Sequence, residues 1–279
     1  MIQAELKGKL PEVENKEDVL TSNVFGMLKY LPPQKGIFKI LEAMKDYSEK
    51  RSSFIENLKA QSIDLNDYDD VEYHFWEYSQ EYGEPDIILI IKDSEGHRTD
   101  LMLCIEVKFQ SGKSGTGEYD QLKLYTLALA DREKRKTFRN TGISNFDGIF
   151  LGTIYLTHYT QFRSVLESLA QIQKSGASGF ESKIYELRWN EVTKTLVQLK
   201  IESEYENRLV DDLVLLLKTK NLVDFEGFTD VSVNFQHQHL FHPPLKIEVS
   251  AKAIFNGFSE LGIRSILKFD KYIFLRREM

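Results

Sequence analysis

The apolar positions of this chain follow two different rhythms. In "KEDVLTSNVFGMLKYL" they recur every three or four residues, at Val19 or Leu20, then Val24, Leu28 and Leu31. That spacing predicts a helix beginning near Lys16–Asp18, after a polar lead-in. "LPPQ" ends it, because proline cannot continue a helix interior. A second helical pattern, "GIFKILEAMKDYSEKRSSFIENLKA", has room for an interruption. The rhythm then changes. "VEYHFWEYS" alternates from Val71 as a strand does. "PDIILIIKD" and "RTDLMLCIEVKF" are short apolar runs joined by a turn, "DSEGH". "GEYDQLKLYTLALADREKRKTF" predicts a helix packed through Leu122, Tyr125, Leu127 and Leu129. "DGIFLGTIYLTHY" reads as a strand, "QFRSVLESLAQIQKS" as a helix and "SKIYELRW" as a short strand. Helices, three strands, helix, strand, helix, strand predict an α/β fold with a mixed central sheet flanked by helices. From about Asn190 the chain reads as mostly helical and then extended. The expected division is a core over 15–190 and an accessory region over 191–279, the latter as a layer of the same domain or beside it.

Three charges interrupt the apolar strands. Successive strand residues face opposite sides, so Ile105, Val107 and Phe109 share one face, and Glu106 and Lys108 share the other. Asp86 opens the preceding strand. If the two strands pair as a hairpin, Asp86 comes to the end of the second strand, beside Glu106 and Lys108. Two carboxylates on a rigid sheet edge make a hard oxygen site suited to Mg²⁺ or Mn²⁺. Such an ion stabilises charge developing on a phosphate, and a lysine two residues on can orient water. Without a cation the two acids would repel, and one would tend to stay protonated. An ordinary salt bridge in an unrelated α/β protein would also gather these charges. What singles them out is Pro-Asp at the head of one apolar strand and Glu-x-Lys at the end of the next.

Pro85-Asp86 and Glu106-Val107-Lys108 resemble the motif of the PD-(D/E)xK phosphodiesterase superfamily, the restriction-endonuclease-like nucleases. The resemblance covers about residues 15–190. It implies an αβββαβ core, metal binding by Asp86 and Glu106, and assistance to the attacking water by Lys108. It also implies a further acid on the first helix: Glu17, with Asp18 as the alternative. The texture there is similar to that of uncharacterised bacterial members. Acids at a helix N-terminus also complement its dipole without any chemistry. Gln121 and Tyr125, at i and i+4 on one helical face, resemble the QxxxY pair of the helicase-associated nuclease branch and imply substrate binding. The implied function is Mg²⁺- or Mn²⁺-dependent hydrolysis of DNA phosphodiesters, in a defence or mobile-element setting, with homodimers common in the family. The alternative is an inactive nuclease-like fold serving as a nucleic-acid- or protein-binding module.

Composition narrows this only slightly. The chain has 279 residues, 42% apolar and 28% charged, as an ordinary globular protein has. "IILII" and "LVLLL" are too short to span a bilayer. The polar N-terminus and the single cysteine, Cys104, lead us to expect a cytoplasmic protein without disulfides. A net charge of −7 argues against non-specific coating of nucleic acid, not against a local basic patch.

Other constellations carry less. His237, His239 and His242 have no cysteine nearby, and the third lies beside prolines, so a surface loop is expected. His74 reads as a packed strand histidine and Glu77 as a solvent-facing acid. Arg132, Lys134, Arg135, Lys136 and Arg139 could approach phosphates but read rather as a solvated helix end, favourable there on dipole grounds alone. "SGKSGTGEYD" reads as a flexible, glycine-rich loop that lacks phosphate-loop spacing. It is placed to act as a lid or substrate loop.

Overall fold

The computed structural model describes residues 16–109, 112–177, 179–180 and 182–224, together with two short strands further on. It divides into two compact units, Met1–Leu222 and Val223–Met279. In the second, Ser232–Asn234 pairs antiparallel with Glu248–Ser250. His237, His239 and His242 lie outside the described residues. The region from 191 falls in both units, and its helices belong to the first.

The first unit is built on a six-stranded mixed sheet flanked by helices. Its strands are β1 (Lys45–Asp46), β2 (Asp70–Phe75), β3 (Ile87–Lys92), β4 (Leu101–Val107), β5 (Ile149–Thr157) and β6 (Ile184–Arg188), in the spatial order β1-β6-β5-β4-β3-β2. β2, β3 and β4 form an antiparallel meander, while β4, β5 and β6 run parallel. The helices are α1 (Lys16–Leu28), α2 (Ile37–Leu41), α3 (Phe54–Ala60), α4 (Gln121–Ala130), α5 (Arg132–Arg135), α6 (Thr141–Ser144), α7 (Phe162–Lys174), α8 (Trp189–Gln198) and α9 (Glu204–Thr219).

Both faces of the central strands are covered, which is why β3 and β4 read as unbroken apolar runs. Ile87, Leu89, Ile91, Leu103, Ile105 and Val107 pack against Leu20, Val24 and Leu28 of α1, with Trp189, Leu213 and Leu216 in the same cluster. On the other face, Ile88, Ile90, Met102 and Cys104 meet Tyr125, Ala128 and Leu129 of α4. Farther along that face, Tyr155 and Ile184 pack with Leu122 and with Val165, Leu169 and Ile172 of α7. The second helical pattern resolves into α2 and α3. The two residues of β1 lie between them, joined antiparallel to β6. The helix after β4 is shorter than its pattern: Asp131 leaves helical geometry and caps α5, accepting hydrogen bonds from the N–H groups of Glu133 and Lys134.

One irregularity matters for the site. Met102 pairs with Phe150 but Leu103 with Gly152, a bulge in β5. It advances the register by one, so Tyr155 rather than Ile154 lies beside Glu106. Gly152 has φ +152°, and an added Cβ would fall 2.3 Å from the Lys183 carbonyl oxygen. Gly152→Ala is therefore expected to lower stability by about 2–3 kcal/mol through overpacking, read as an earlier urea midpoint with unchanged slope.

Candidate active site

The site grows out of the β3–β4 ladder. Ile87 pairs with Ile105. Continued by one residue, that register sets Asp86 across from Glu106. The Asp86 backbone is fixed from the other side, where its carbonyl accepts from the Trp76 N–H at 3.1 Å. Its Oδ2 accepts from the Val107 N–H at 2.7 Å. Asp86 thus closes the hairpin at the point where the ladder would otherwise end.

Glu106 is 2% exposed. The Lys108 ammonium lies 2.7 Å from its Oε1. Lys108 also reaches Glu17 Oε1 at 3.3 Å, and Glu17 Oε2 accepts from the Phe109 N–H at 2.8 Å. The first turn of α1 is thereby pinned to the end of β4. Trp189 donates its indole N–H to the Lys108 carbonyl at 3.3 Å, so α8 holds the same strand end from behind. Four of the expected residues, Glu17, Asp86, Glu106 and Lys108, are brought together. Asp18 is close enough to act on Asp86 electrostatically.

Gln121 and Tyr125 lie on α4 over the same face. Gln121 Nε2 donates to the Tyr125 hydroxyl at 3.3 Å, and that hydroxyl donates to the Glu84 carbonyl at 3.2 Å. Gln121 Oε1 is buried with no hydrogen-bond partner. The Tyr125 phenol is held well above its ordinary value by burial first and then by Glu106, Cys104 and Asp86. Both carboxylates thus act on the phenol electrostatically.

Burial dominates the electrostatics here. It lifts the Asp86 carboxyl to about 6, although the Val107 N–H and Lys108 both pull it down. Burial, and then the repulsion of Asp86, lift Glu106 to about 8 against the attraction of Lys108. Burial pushes the Lys108 ammonium down. The pull of Glu106, Glu17 and Asp86 more than offsets this and leaves it above the ordinary lysine value. Four acids around one lysine leave an anionic excess that a cation would relieve. Among the described residues, no group of three or more His, Cys, Asp or Glu could hold a metal ion. The donor chemistry that fits is the Asp86–Glu106 pair, two hard oxygen groups, with water or a phosphate oxygen as the remaining ligands.

Several nearby features were not legible in the sequence. In the 112–120 loop, the Lys113 ammonium is held rather than free. It pairs with Asp120 and donates to Ser168 Oγ at 2.8 Å, while Asp120 also caps α4. Part of the loop expected to be flexible is therefore tied down, directly before Gln121. On the sheet face carrying Glu106, β5 and β6 continue the row through Tyr155 to Glu186. Glu186 pairs with Arg51, whose positive φ of 52° sets it in a tight loop after β1. Arg135 corrects an expectation. It is buried and donates to the carbonyls of Leu129 and Phe146, because the chain folds back over the helix end. Glu77 accepts from Asn140 at 2.7 Å, beside the half-buried His74. A hollow of about 620 Å³ between α2, α3 and the 63–66 loop contains none of the site residues. No described helix is long and apolar enough to cross a membrane.

No family model and no curated protein matches the chain. Among solved structures, it is similar to the MspJI restriction endonuclease in complex with a 27-mer oligonucleotide, at 12% identity and a TM-score of 0.26. That alignment takes in 62% of this chain and 32% of the endonuclease. Similarity at that level leaves the site to be read from its own residues.

The raised Glu106 pKa has a measurable consequence. Its folded value of about 8 stands above the ordinary 4.5. The associated stability is fully present below the unfolded value and is lost as pH rises through the folded one. Glutamine at this position does not titrate. Metal-free Glu106→Gln is expected to out-melt the parent by a margin that widens from pH 5 to pH 8. A margin that narrows over that range contradicts the burial argument.

Proposed function

We propose that this protein is a divalent-cation-dependent nuclease that hydrolyses DNA phosphodiester bonds. The observation that carries the reading is the ladder register, which sets Asp86 across from Glu106 with the Lys108 ammonium bound to Glu106. Buried carboxylates are costly unless paired or bound to a cation, and here they are spaced by a rigid hairpin.

Asp86 and Glu106 would hold the ion, with Glu17 at the edge of the site. A bound Mg²⁺ or Mn²⁺ supplies positive charge to the phosphate as negative charge builds on its oxygens. Lys108 offers N–H donors within the site, suited to holding a water in line with the phosphorus or steadying an anionic oxygen. Its ion pair with Glu106 keeps it charged and aimed. Glu17 holds the Phe109 N–H and fixes the end of the strand that carries Lys108. Gln121 Oε1, buried without a partner, is available to accept a hydrogen bond from substrate or water. The hydrophobic clusters on both faces of β4 keep these groups from shifting.

The direct test is cleavage of linear, circular and single-stranded DNA with Mg²⁺, Mn²⁺ or EDTA. Asp86→Ala, Glu106→Gln and Lys108→Ala are each expected to lower the rate by about 10²–10⁴, and EDTA to abolish it. Gln121→Ala is expected to lower it by about tenfold, roughly the loss of one hydrogen bond. Cleavage that survives Asp86→Ala refutes the site. Binding without cleavage in the parent supports the alternative, a nuclease-like fold used as a binding module.

A further inference from the structure

The strand ends next to the site are closed by stacked aromatic rings. Phe109 directly follows Lys108, and its N–H is the one bound by Glu17. Its ring lies 6.4 Å from that of His158 at an interplanar angle of 20°. His158 stacks on Tyr159 at 4.1 Å and 19°. Near-parallel rings therefore lead away from the residue beside Lys108, and the last of them, Tyr159, is 47% exposed. At the start of α7, Phe162 is 43% exposed. It packs on Tyr47 at 5.7 Å with the rings tilted by 34°, and the guanidinium of Arg51, which is paired with Glu186, lies 5.6 Å from its ring centre.

Large aromatic side chains normally bury most of their surface. Here two stand half in solvent three residues apart, each against another ring, one on the loop that leaves β5 and one at the first residue of α7. Supported rings lose little freedom on contact, and a π face accepts another π face in an offset stack. Every nucleobase offers such a face, but in a duplex its neighbours cover it.

We propose that Tyr159 and Phe162 form a base-stacking subsite for unpaired nucleobases of the strand being cut, so that the substrate is single-stranded or locally unpaired DNA. This rests on the nuclease reading and assigns the strandedness of its substrate. The phosphodiester enters beside Lys108, and the flanking base lies on Tyr159.

The test measures binding apart from cleavage, by fluorescence anisotropy in EDTA. The probes are a labelled oligothymidine, the same length with abasic spacers, and a blunt duplex. The parent is expected to bind the oligothymidine at least about fivefold tighter than the abasic strand, the lower end of a single base stack. Tyr159→Ala should weaken oligothymidine binding by about tenfold and leave abasic binding within about twofold, while Tyr159→Phe stays near the parent. Phe162→Ala carries the same expectation and serves in its place should Tyr159→Ala lose the parental melting temperature. Equal oligothymidine binding by Tyr159→Ala and the parent overturns the subsite. So does an equal loss on the abasic strand, or a parent that binds only duplex or no DNA. Cleavage together with any of those results leaves the nuclease reading standing alone. The expected base-dependent binding without Mg²⁺-dependent cleavage removes the nuclease reading and leaves the subsite.

Discussion

A carboxylate buried near the end of a central β-strand is the constraint on which this structure turns. Glu106 is almost wholly removed from water on a strand packed on both sides. An isolated ionised group in that position is heavily penalised. Its neighbours fall into place around that penalty. Lys108 emerges on the same face two residues later and pairs with it. Glu17 comes in on the first turn of α1 to share the ammonium. Asp86, across the ladder, takes its hydrogen bond from the backbone of Val107 and so adds a second acid without a second lysine. An ordinary salt bridge would balance one acid against one base. This group leaves carboxylate in excess, and burial raises both Asp86 and Glu106 toward neutrality.

The scaffold explains how such an arrangement persists. β3 and β4 are packed on both faces, so a one-residue slip would turn Glu106 and Lys108 into the opposite apolar layer. Trp189 ties the Lys108 carbonyl to α8, and the bulge at Gly152 brings Tyr155 alongside Glu106. Asp120 receives Lys113 and Ser168 and caps α4, which fixes where Gln121 begins. The charged groups sit on strand ends and helix starts, while Tyr159 and Phe162, beyond the end of β5, stand half in solvent.

What could be read from the sequence was what depends on period. Strand parity placed Glu106 with Lys108 and opposite Ile105 and Val107. The helical stripe from Leu20 to Leu31 located α1, and with it Glu17. What could not be read depends on tertiary partners. β1 is two residues long and exists only through β6. Arg135 lies in a basic run, and nothing local shows that the carbonyls of Leu129 and Phe146 await it. Lys113 sits among glycines and serines, which suggests freedom, yet its partner Ser168 is far along the chain on α7. The Gly152 bulge shifts a register that alternation alone would place one residue away.

Asp86 and Glu106 are proposed to hold one divalent cation between them. Titration of Mn²⁺ into the metal-free protein, followed by calorimetry and by loss of the free-ion paramagnetic resonance signal, tests it without reference to DNA. One tightly held ion per chain is expected in the parent, with that binding lost in both Asp86→Asn and Glu106→Gln and both variants still folded. Equal Mn²⁺ binding in parent and variants, or none in the parent, would contradict it.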